Sequence, residues 1–195
     1  QNIVHSIYKL AMKTHTHDID QVYLHFSGHG TSVYDRERDE RDRIDEAFVP
    51  SDWKQCGVIK DDLFKKIFKR FNSKTKVICV FDSCHSGTMG DLKYKWINDK
   101  THVTENKGKK CDANVLCISG CRDNQTSADA YNVNNQQMYT GALTSCLLKI
   151  LKSESNDNIV FNIVNATKST LTEKQFKQKP VVTTSYIMNE QSNLF

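Results

Sequence analysis

A free thiol follows a short apolar run in the first half of the chain. Residues 77–81 read Val-Ile-Cys-Val-Phe, and Asp82, Ser83, Cys84 and His85 come directly after them. A run that is apolar on both alternating sides is typical of a strand covered on both faces of a sheet. Open α/β sheets form their ligand clefts at the carboxyl ends of such strands, which favours Cys84 as a thiolate nucleophile. The alternative for a lone cysteine is a small buried apolar residue.

A histidine follows a second apolar stretch in the same way. Residues 21–26 predict another strand, which ends in the Ser-Gly-His-Gly segment at 27–30. Glycines on both sides of His29 allow positive φ and a sharp turn that leaves the imidazole over the strand end. His29 lies about 50 residues upstream of Cys84, the separation described for caspases. A thiol beside an imidazole can attack a peptide carbonyl and later protonate the leaving amine.

The oxyanion formed in such an attack needs hydrogen-bond donors. The candidates are the backbone N–H groups of Gly30, which follows the predicted base, and of Cys84, the predicted nucleophile. His85 is the alternative base because it is adjacent to Cys84 in sequence. Neighbouring side chains of an extended segment diverge, however, which favours His29.

Three segments together resemble the signatures of a known peptidase family. Residues 26–30 and 82–87 are similar to the paired catalytic blocks of the metacaspases, which are caspase-like cysteine peptidases, and residues 119–130 are similar to the family's small-subunit block. The resemblance implies a caspase-like three-layer α/β sandwich with a mostly parallel central sheet flanked by helices. It also implies Cys84 as nucleophile and His29 as general base and acid. The short connection after Cys84 is similar to that of type I members.

The spacing of apolar residues predicts one α/β domain over residues 1–195, in which strands and helices alternate. The predicted helices span 2–13, 61–71, 141–151 and 159–171, and the predicted strands span 21–26, 77–81, 114–119 and 181–187. We expect a large-subunit-like part at 1–92, an exposed Lys-rich linker at 93–112 and a small-subunit-like part at 113–195. The strand with which metacaspase-like domains open is expected to be missing ahead of the first helix.

Substrate preference is predicted from Asp82 and Ser27. By resemblance these two residues line the pocket for the residue that precedes the cleaved bond. A buried carboxylate favours Arg or Lys there, because an unpaired cation in a closed pocket is costly. We therefore expect protein or peptide substrates with Arg or Lys at the cleavage site. The alternative for Asp82 is that it hydrogen-bonds backbone amides at the strand end.

The resemblance also implies calcium as an activating cofactor. The matching acids are Asp45, Asp61, Asp62 and Asp91. Carboxylates from several loops can converge on a hard, oxygen-seeking cation and tie those loops together. Helix capping by Asp61 and Asp62, or four ordinary surface aspartates, are the alternatives. Spacing does not favour zinc.

The Lys-rich linker suggests self-processing, since a peptidase that cleaves after Lys can cut its own exposed Lys107, Lys109 or Lys110 bond. A solvated loop that is never cut is the alternative. The opposing functional hypotheses are a catalytically impaired regulatory or decoy module that lacks the first strand, and a caspase-fold peptidase of the clostripain or legumain kind. Residues 125–129, part of the small-subunit-like block, weigh against the second.

Composition excludes several other classes. The net charge of +4 is mild and no basic cluster is interleaved with aromatics, which argues against nucleic acid. No apolar run reaches the length of a transmembrane helix, so no membrane partner is expected. Seven cysteines, an odd number at irregular spacing, predict reduced thiols and a cytoplasmic location. The resemblance implies a monomer.

Overall fold

The computed structural model describes residues 2–34, 44–83, 89–104, 111–120, 129–131, 139–153 and 158–195. The helices are α1 (Asn2–Lys13), α2 (Trp53–Cys56), α3 (Asp61–Phe68), α4 (Ala142–Leu151) and α5 (Val160–Glu173). The strands are β1 (Gln21–Ser27), β2 (Gly30–Tyr34), β3 (Ile44–Phe48), β4 (Ile59–Lys60), β5 (Lys76–Asp82), β6 (Tyr94–Trp96), β7 (His102–Thr104), β8 (Asn114–Ser119), β9 (Asp129–Tyr131), β10 (Tyr139–Gly141) and β11 (Val181–Thr184).

The central sheet has six strands in the order β1-β5-β8-β11-β6-β7. β1, β5 and β8 pair in parallel, whereas β11, β6 and β7 join through antiparallel pairs. Four strands, β1, β5, β8 and β6, therefore run one way, and β11 and β7 run the other. The prediction of a mostly parallel central sheet flanked by helices is confirmed.

Helices cover both faces of this sheet, because β5 buries its alternating side chains on opposite sides. Ile78 and Val80 belong to a core shared with α4 and α5. Val77, Cys79 and Phe81 belong to a second core, shared with α1 and α3. This three-layer arrangement explains the unbroken apolar run, since a strand that is buried on both faces has no place for a polar side chain.

A second, antiparallel sheet of three strands, β2-β3-β4, lies beside β1. Phenylalanine rings join it to the rest of the molecule. Phe48 of β3 stacks on Phe26 of β1 with ring centroids 4.1 Å apart, and it meets Phe81 and Phe64 edge-on at 5.0 and 5.3 Å. Offset and edge-on geometries are those that aromatic quadrupoles favour. The sequence analysis predicted none of these three strands, because they are short and β2 is polar.

The Lys-rich segment 93–112 contains two strands, β6 and β7, where an exposed connection was expected. Trp96 of β6 is only 7% exposed and donates its indole N–H to Thr184 Oγ1 of β11 at 2.8 Å. Each strand is three residues long, and β6 joins the sheet through β11, far along the chain, so no local periodicity reveals the pairing. Lys107, Lys109 and Lys110 lie outside the described residues.

The other element boundaries differ from the predictions by a few residues. α3 ends at Phe68 instead of Phe71, and α5 spans Val160–Glu173 instead of 159–171. In the described part of the chain, β1 forms one edge of the six-stranded sheet. No helix there combines the length and the apolar character needed to cross a membrane.

We predict that Phe48→Ala lowers the free energy of unfolding by about 3–5 kcal/mol, because the cavity would lie among three other rings. Phe48 is 1% exposed, whereas Phe195 is 49% exposed. Phe195→Ala is therefore the matched control, with an expected change of less than about 0.5 kcal/mol. Chemical denaturation measures both changes, and equal losses would contradict the role assigned to Phe48.

Candidate active site

The carboxyl ends of β1 and β5 lie side by side. The two strands pair in parallel from Gln21 with Lys76 to Ser27 with Asp82. Beyond the last pair, the Gly28 N–H donates to the Asp82 carbonyl at 3.2 Å. Adjacent strands are about 4.8 Å apart, so the loop that carries His29 begins next to the end of β5.

The backbone of the His29 loop is held on its other side by β3. The His29 carbonyl accepts the Val49 N–H at 2.9 Å, and Gly30 opens β2 opposite Phe48. The His29 side chain itself is exposed. A fixed main chain with a solvent-facing imidazole suits a group that exchanges protons with a bound substrate.

The expected positive φ is not found in this loop. Among the glycines that the structure describes, positive φ occurs at Gly57 and Gly90 and therefore not at Gly28 or Gly30. A different constraint acts at Gly28, where a Cβ would lie 3.1 Å from the Phe26 ring. Glycine permits this close approach of the ring, the other property for which glycines are expected at this turn.

Cys84 lies outside the described residues, as do residues 85–88. The described chain reaches Ser83, which is fully buried, and resumes at Met89. The roles predicted for the Cys84 thiol and for its backbone N–H therefore stay predictions. The same holds for the oxyanion role of Gly30.

Asp82 occupies a buried, highly polar environment. Its side chain faces α4, on the same side of β5 as Ile78 and Val80, and the residue is 2% exposed. Oδ2 accepts the backbone N–H and the hydroxyl of Thr144, each at 2.8 Å, and Oδ1 accepts Gln178 Nε2 at 3.2 Å. Thr144 lies in the first turn of α4, so Asp82 caps this helix and places a negative charge at its positive end. The alternative for Asp82, hydrogen bonding to backbone N–H groups, thus corresponds to the bond from the Thr144 N–H.

Ser27 is the neighbour of Asp82 on the same face of the sheet, since the two residues are paired in register. The main chain at Gly141 packs against both. A Cβ at Gly141 would lie 2.0 Å from Asp82 Oδ2 and 2.8 Å from Ser27 Oγ. Any side chain at this position would displace the carboxylate, so glycine is required for Asp82 to keep its position.

The sequence analysis missed several neighbours of Asp82, namely His25, Gly141, Thr144 and Gln178. Thr144 and Gln178 are 62 and 96 positions from Asp82 in sequence. Thr144 was recognised only as part of a predicted helix and Gln178 not at all. No local pattern indicates such partners.

The four aspartates predicted to bind calcium lie on β3, at the start of α3 and after β5. The Lys60 ammonium contacts Asp45 at 2.5 Å, and Lys65 forms a buried ion pair with Asp91. Asp61 accepts the Glu46 N–H at 3.2 Å and the Asp62 N–H at 2.8 Å, which ties α3 to β3. Asp62 is also buried.

The charges of these aspartates influence one another. Burial raises the pKa of Asp61 to about 7, and the nearby carboxylates of Asp91 and Asp45 add to the rise, while the two backbone N–H donors oppose it. Within the described ranges, however, no three His, Cys, Asp or Glu side chains are grouped closely enough to hold a metal ion. The oxygen donors suit a hard cation, but ammonium groups contact two of the four carboxylates.

Asp91 is held by a tight turn. Gly90 has φ +86° and Asp91 has φ +50°. A Cβ at Gly90 would lie 2.4 Å from the Phe68 ring. The turn therefore passes directly over α3, where the Asp91 carboxylate meets Lys65.

A groove of about 1120 Å³ lies elsewhere, between α1 and α3. Val4, Tyr8, Leu63 and Ile67 are among its lining residues. None of the predicted site residues lines it. The described residues predicted to take part in catalysis or calcium binding therefore lie outside this groove.

Comparison with known proteins identifies the family. Residues 1–93 match the family model described as "Metacaspase, peptidase C14 domain", and this segment contains both His29 and Cys84. The chain belongs to the metacaspase family. The resemblance noted from the sequence motifs is thus confirmed, and metacaspases are cysteine-type peptidases.

Relatives within the metacaspase family align with most of the chain. Metacaspase-3 of Trypanosoma brucei brucei is 31% identical over 180 residues, which cover 85% of this chain and 50% of that protein. Metacaspase-3 of Trypanosoma cruzi (strain CL Brener) is 33% identical over 185 residues, covering 88% and 51%. Metacaspase-1 of Plasmodium falciparum (isolate 3D7) is 37% identical over 143 residues, covering 70% and 22%. The chain spans about half the length of the trypanosomal metacaspases it matches.

One solved structure supports the fold. A protein from Geobacter sulfurreducens superposes with a TM-score of 0.65 and 23% identity, over 98% of this chain and 76% of that one. Within this metacaspase-family fold, the structure brings together Ser27, Asp82 and the loop of His29. It brings the charges of Asp45, Asp61 and Asp91 within reach of one another but does not form a metal site from them.

Proposed function

We propose that the protein is a cysteine endopeptidase that cleaves after Arg or Lys with Cys84 as nucleophile and His29 as general base and acid. The observation that carries this proposal is the β1–β5 pairing, which ends at Ser27 with Asp82 and continues in the bond from Gly28 to Asp82. His29 and Cys84 each follow the last paired residue of their strand by two positions. The two residues thus follow neighbouring strand ends in the sequence.

The chemistry requires only these two side chains and water. The Cys84 thiolate attacks the peptide carbonyl, and the carbonyl π electrons move onto oxygen to give an oxyanion, for which the Gly30 and Cys84 N–H groups are the proposed donors. When the C–N bond breaks, the His29 imidazolium protonates the leaving amine and an acyl thioester remains. Neutral His29 then takes a proton from water, which attacks the thioester. The products are a carboxylic acid and the regenerated thiol–imidazole pair.

Asp82 and Ser27 are the proposed determinants of basic specificity. Asp82 is buried beside exposed Ser27 on one face of the sheet. A buried carboxylate attracts a cation strongly because the surroundings have a low dielectric constant. A neutral substrate side chain would leave the negative charge of Asp82 without a cationic partner. These features support a preference for protein substrates with Arg or Lys before the cleaved bond.

Calcium is the proposed activating cofactor. Asp45, Asp61, Asp62 and Asp91 would supply oxygen ligands, and the bound ion would neutralise their charge and tie β3, α3 and the turn after β5 together. Binding would require Lys60 and Lys65 to leave Asp45 and Asp91. Lys65 and Asp91 are both largely buried, so this exchange replaces one internal cation with another.

Self-processing at Lys107, Lys109 or Lys110 is proposed as a consequence of basic specificity. These lysines follow β7 in a segment rich in polar residues. Cleavage there would separate the part of the chain that carries His29 and Cys84 from the part that carries α4 and α5. The Asp82–Thr144 contacts would continue to join the two parts after such a cut.

We predict that Cys84→Ala and His29→Ala each lower kcat/KM by about a thousandfold or more on a peptide ending in Arg, since the two groups act as a unit. His85→Ala is the matched control and should change kcat/KM by less than about tenfold. The peptide with citrulline, a neutral isostere of Arg, should be cleaved about a hundredfold more slowly. Loss of activity in His85→Ala but not in His29→Ala would show that His85 is the base. If the unmodified protein cleaves no peptide, with or without calcium, the result would favour the regulatory module.

We predict that Lys65→Met lowers the free energy of unfolding by about 3–5 kcal/mol in a chelator, because Asp91 loses its buried partner. Millimolar calcium should restore a large part of this loss, since the ion replaces the ammonium. Thermal unfolding with and without calcium measures both effects, and the exposed Lys66→Met is the matched control. If calcium shifts the melting temperature equally in all three proteins, the proposed cation site is wrong.

We predict that calcium produces two fragments of the unmodified protein and none of Cys84→Ala. The triple replacement of Lys107, Lys109 and Lys110 by glutamine should abolish the cut, while the triple replacement of Lys93, Lys95 and Lys100 should leave it unchanged. Intact-mass measurement of the products locates the bond. Fragments that persist in the first triple variant would contradict self-processing at these lysines.

A further inference from the structure

One oxygen of the Asp82 carboxylate has both of its acceptor positions filled. Oδ2 accepts the Thr144 backbone N–H and the Thr144 hydroxyl, each at 2.8 Å. A carboxylate oxygen has two lone pairs in the plane of the group. Thr144 alone therefore saturates Oδ2, whatever else the Asp82 side chain contacts.

His25 sets the direction of the Thr144 hydroxyl. Its Nε2 lies 3.0 Å from Thr144 Oγ1. Because the carboxylate only accepts, the hydroxyl proton points at Asp82 and Oγ1 accepts an N–H from His25. Desolvation lowers the pKa of His25, against the opposing charge of Asp82. This agrees with a neutral ring that carries its proton on Nε2.

Two stretches of main chain keep the carboxylate in this orientation. A Cβ at Gly141 would lie 2.0 Å from Oδ2, and a Cβ at Gly120 would lie 3.1 Å from Oδ1. Gln178 Nε2 also donates to Oδ1 at 3.2 Å. Because the Gly141 main chain packs closely against Oδ2, the carboxylate has no room to turn and present this oxygen to another donor.

We propose that Thr144 is a positioning residue that sets how the Asp82 pocket ranks Arg against Lys. The inference rests on the proposed function, in which Asp82 meets the substrate's cation. Guanidinium surpasses ammonium at a carboxylate by donating two parallel hydrogen bonds, one to each oxygen. Since Oδ2 is saturated, the substrate's cation meets Asp82 through Oδ1, and the arginine fork finds no second oxygen. The pocket therefore accepts Arg and Lys nearly equally.

The test compares kcat/KM for three peptides that differ only in having Arg, Lys or citrulline before the cleaved bond. In the unmodified protein, the Arg-to-Lys ratio is expected within about threefold of one, and Arg well above citrulline. Thr144→Ala removes one donor from Oδ2 and should raise the Arg-to-Lys ratio about tenfold, the effect of one added charge-assisted hydrogen bond. Thr144→Ser keeps the hydroxyl and should retain the original ratio.

A ratio of two kcat/KM values is independent of the fraction of protein that is folded, so partial unfolding does not imitate the effect. Thr144→Val, which keeps the shape of threonine without its hydroxyl, repeats the test if the alanine variant does not fold. An unchanged ratio in Thr144→Ala and Thr144→Val overturns the inference, as does an equal rise in Thr144→Ser. Equal cleavage of Arg and citrulline by the unmodified protein instead overturns the proposed role of Asp82, and this inference with it.

Discussion

The parallel pairing of β1 with β5 is the constraint on which the rest of the site depends. Seven residues of each strand are in register, and the last pair joins Ser27 to Asp82. β5 buries different residues on its two faces, so a slip of one residue would turn Asp82 into the phenylalanine-rich core on the α1–α3 side. The hydrophobic pattern therefore fixes where both strands end and which side chains stand together there.

Asp82 links this sheet to the helix layer. A buried carboxylate is costly unless donors compensate it, and the first turn of α4 supplies two. In return the carboxylate caps α4, because the N-cap residue of this helix, Gly141, has no side chain that could do so. One group thus joins the end of β5 to the start of α4. The donors that stabilise the charge also occupy acceptor positions of its oxygens.

The carboxylates of Asp45, Asp61 and Asp91 are also stabilised by hydrogen-bond donors, but their donors differ from those of Asp82. Asp45 and Asp91 face the ammonium groups of Lys60 and Lys65, while Asp61 relies on backbone N–H groups. Buried charges are retained only when they are paired, so the lysines act as internal counter-ions for a set of carboxylates that repel one another. The raised pKa of Asp61 reflects burial first and that repulsion second. A divalent ion proposed for these carboxylates has to compete with cations that the chain already carries.

The sequence by itself determined the three-layer α/β class, the principal helices, the strands β1, β5, β8 and β11, and the family. These features are written in local patterns of apolar residues and in motifs that surround His29 and Cys84. Tertiary structure alone decided the strands β6 and β7, the sheet formed by β2, β3 and β4, and the partners of Asp82. Those strands are too short to show a period, and they gain their stability from pairing with distant segments. Thr144 and Gln178 contact Asp82 across 62 and 96 positions, and such contacts arise only when the sheet and α4 have packed.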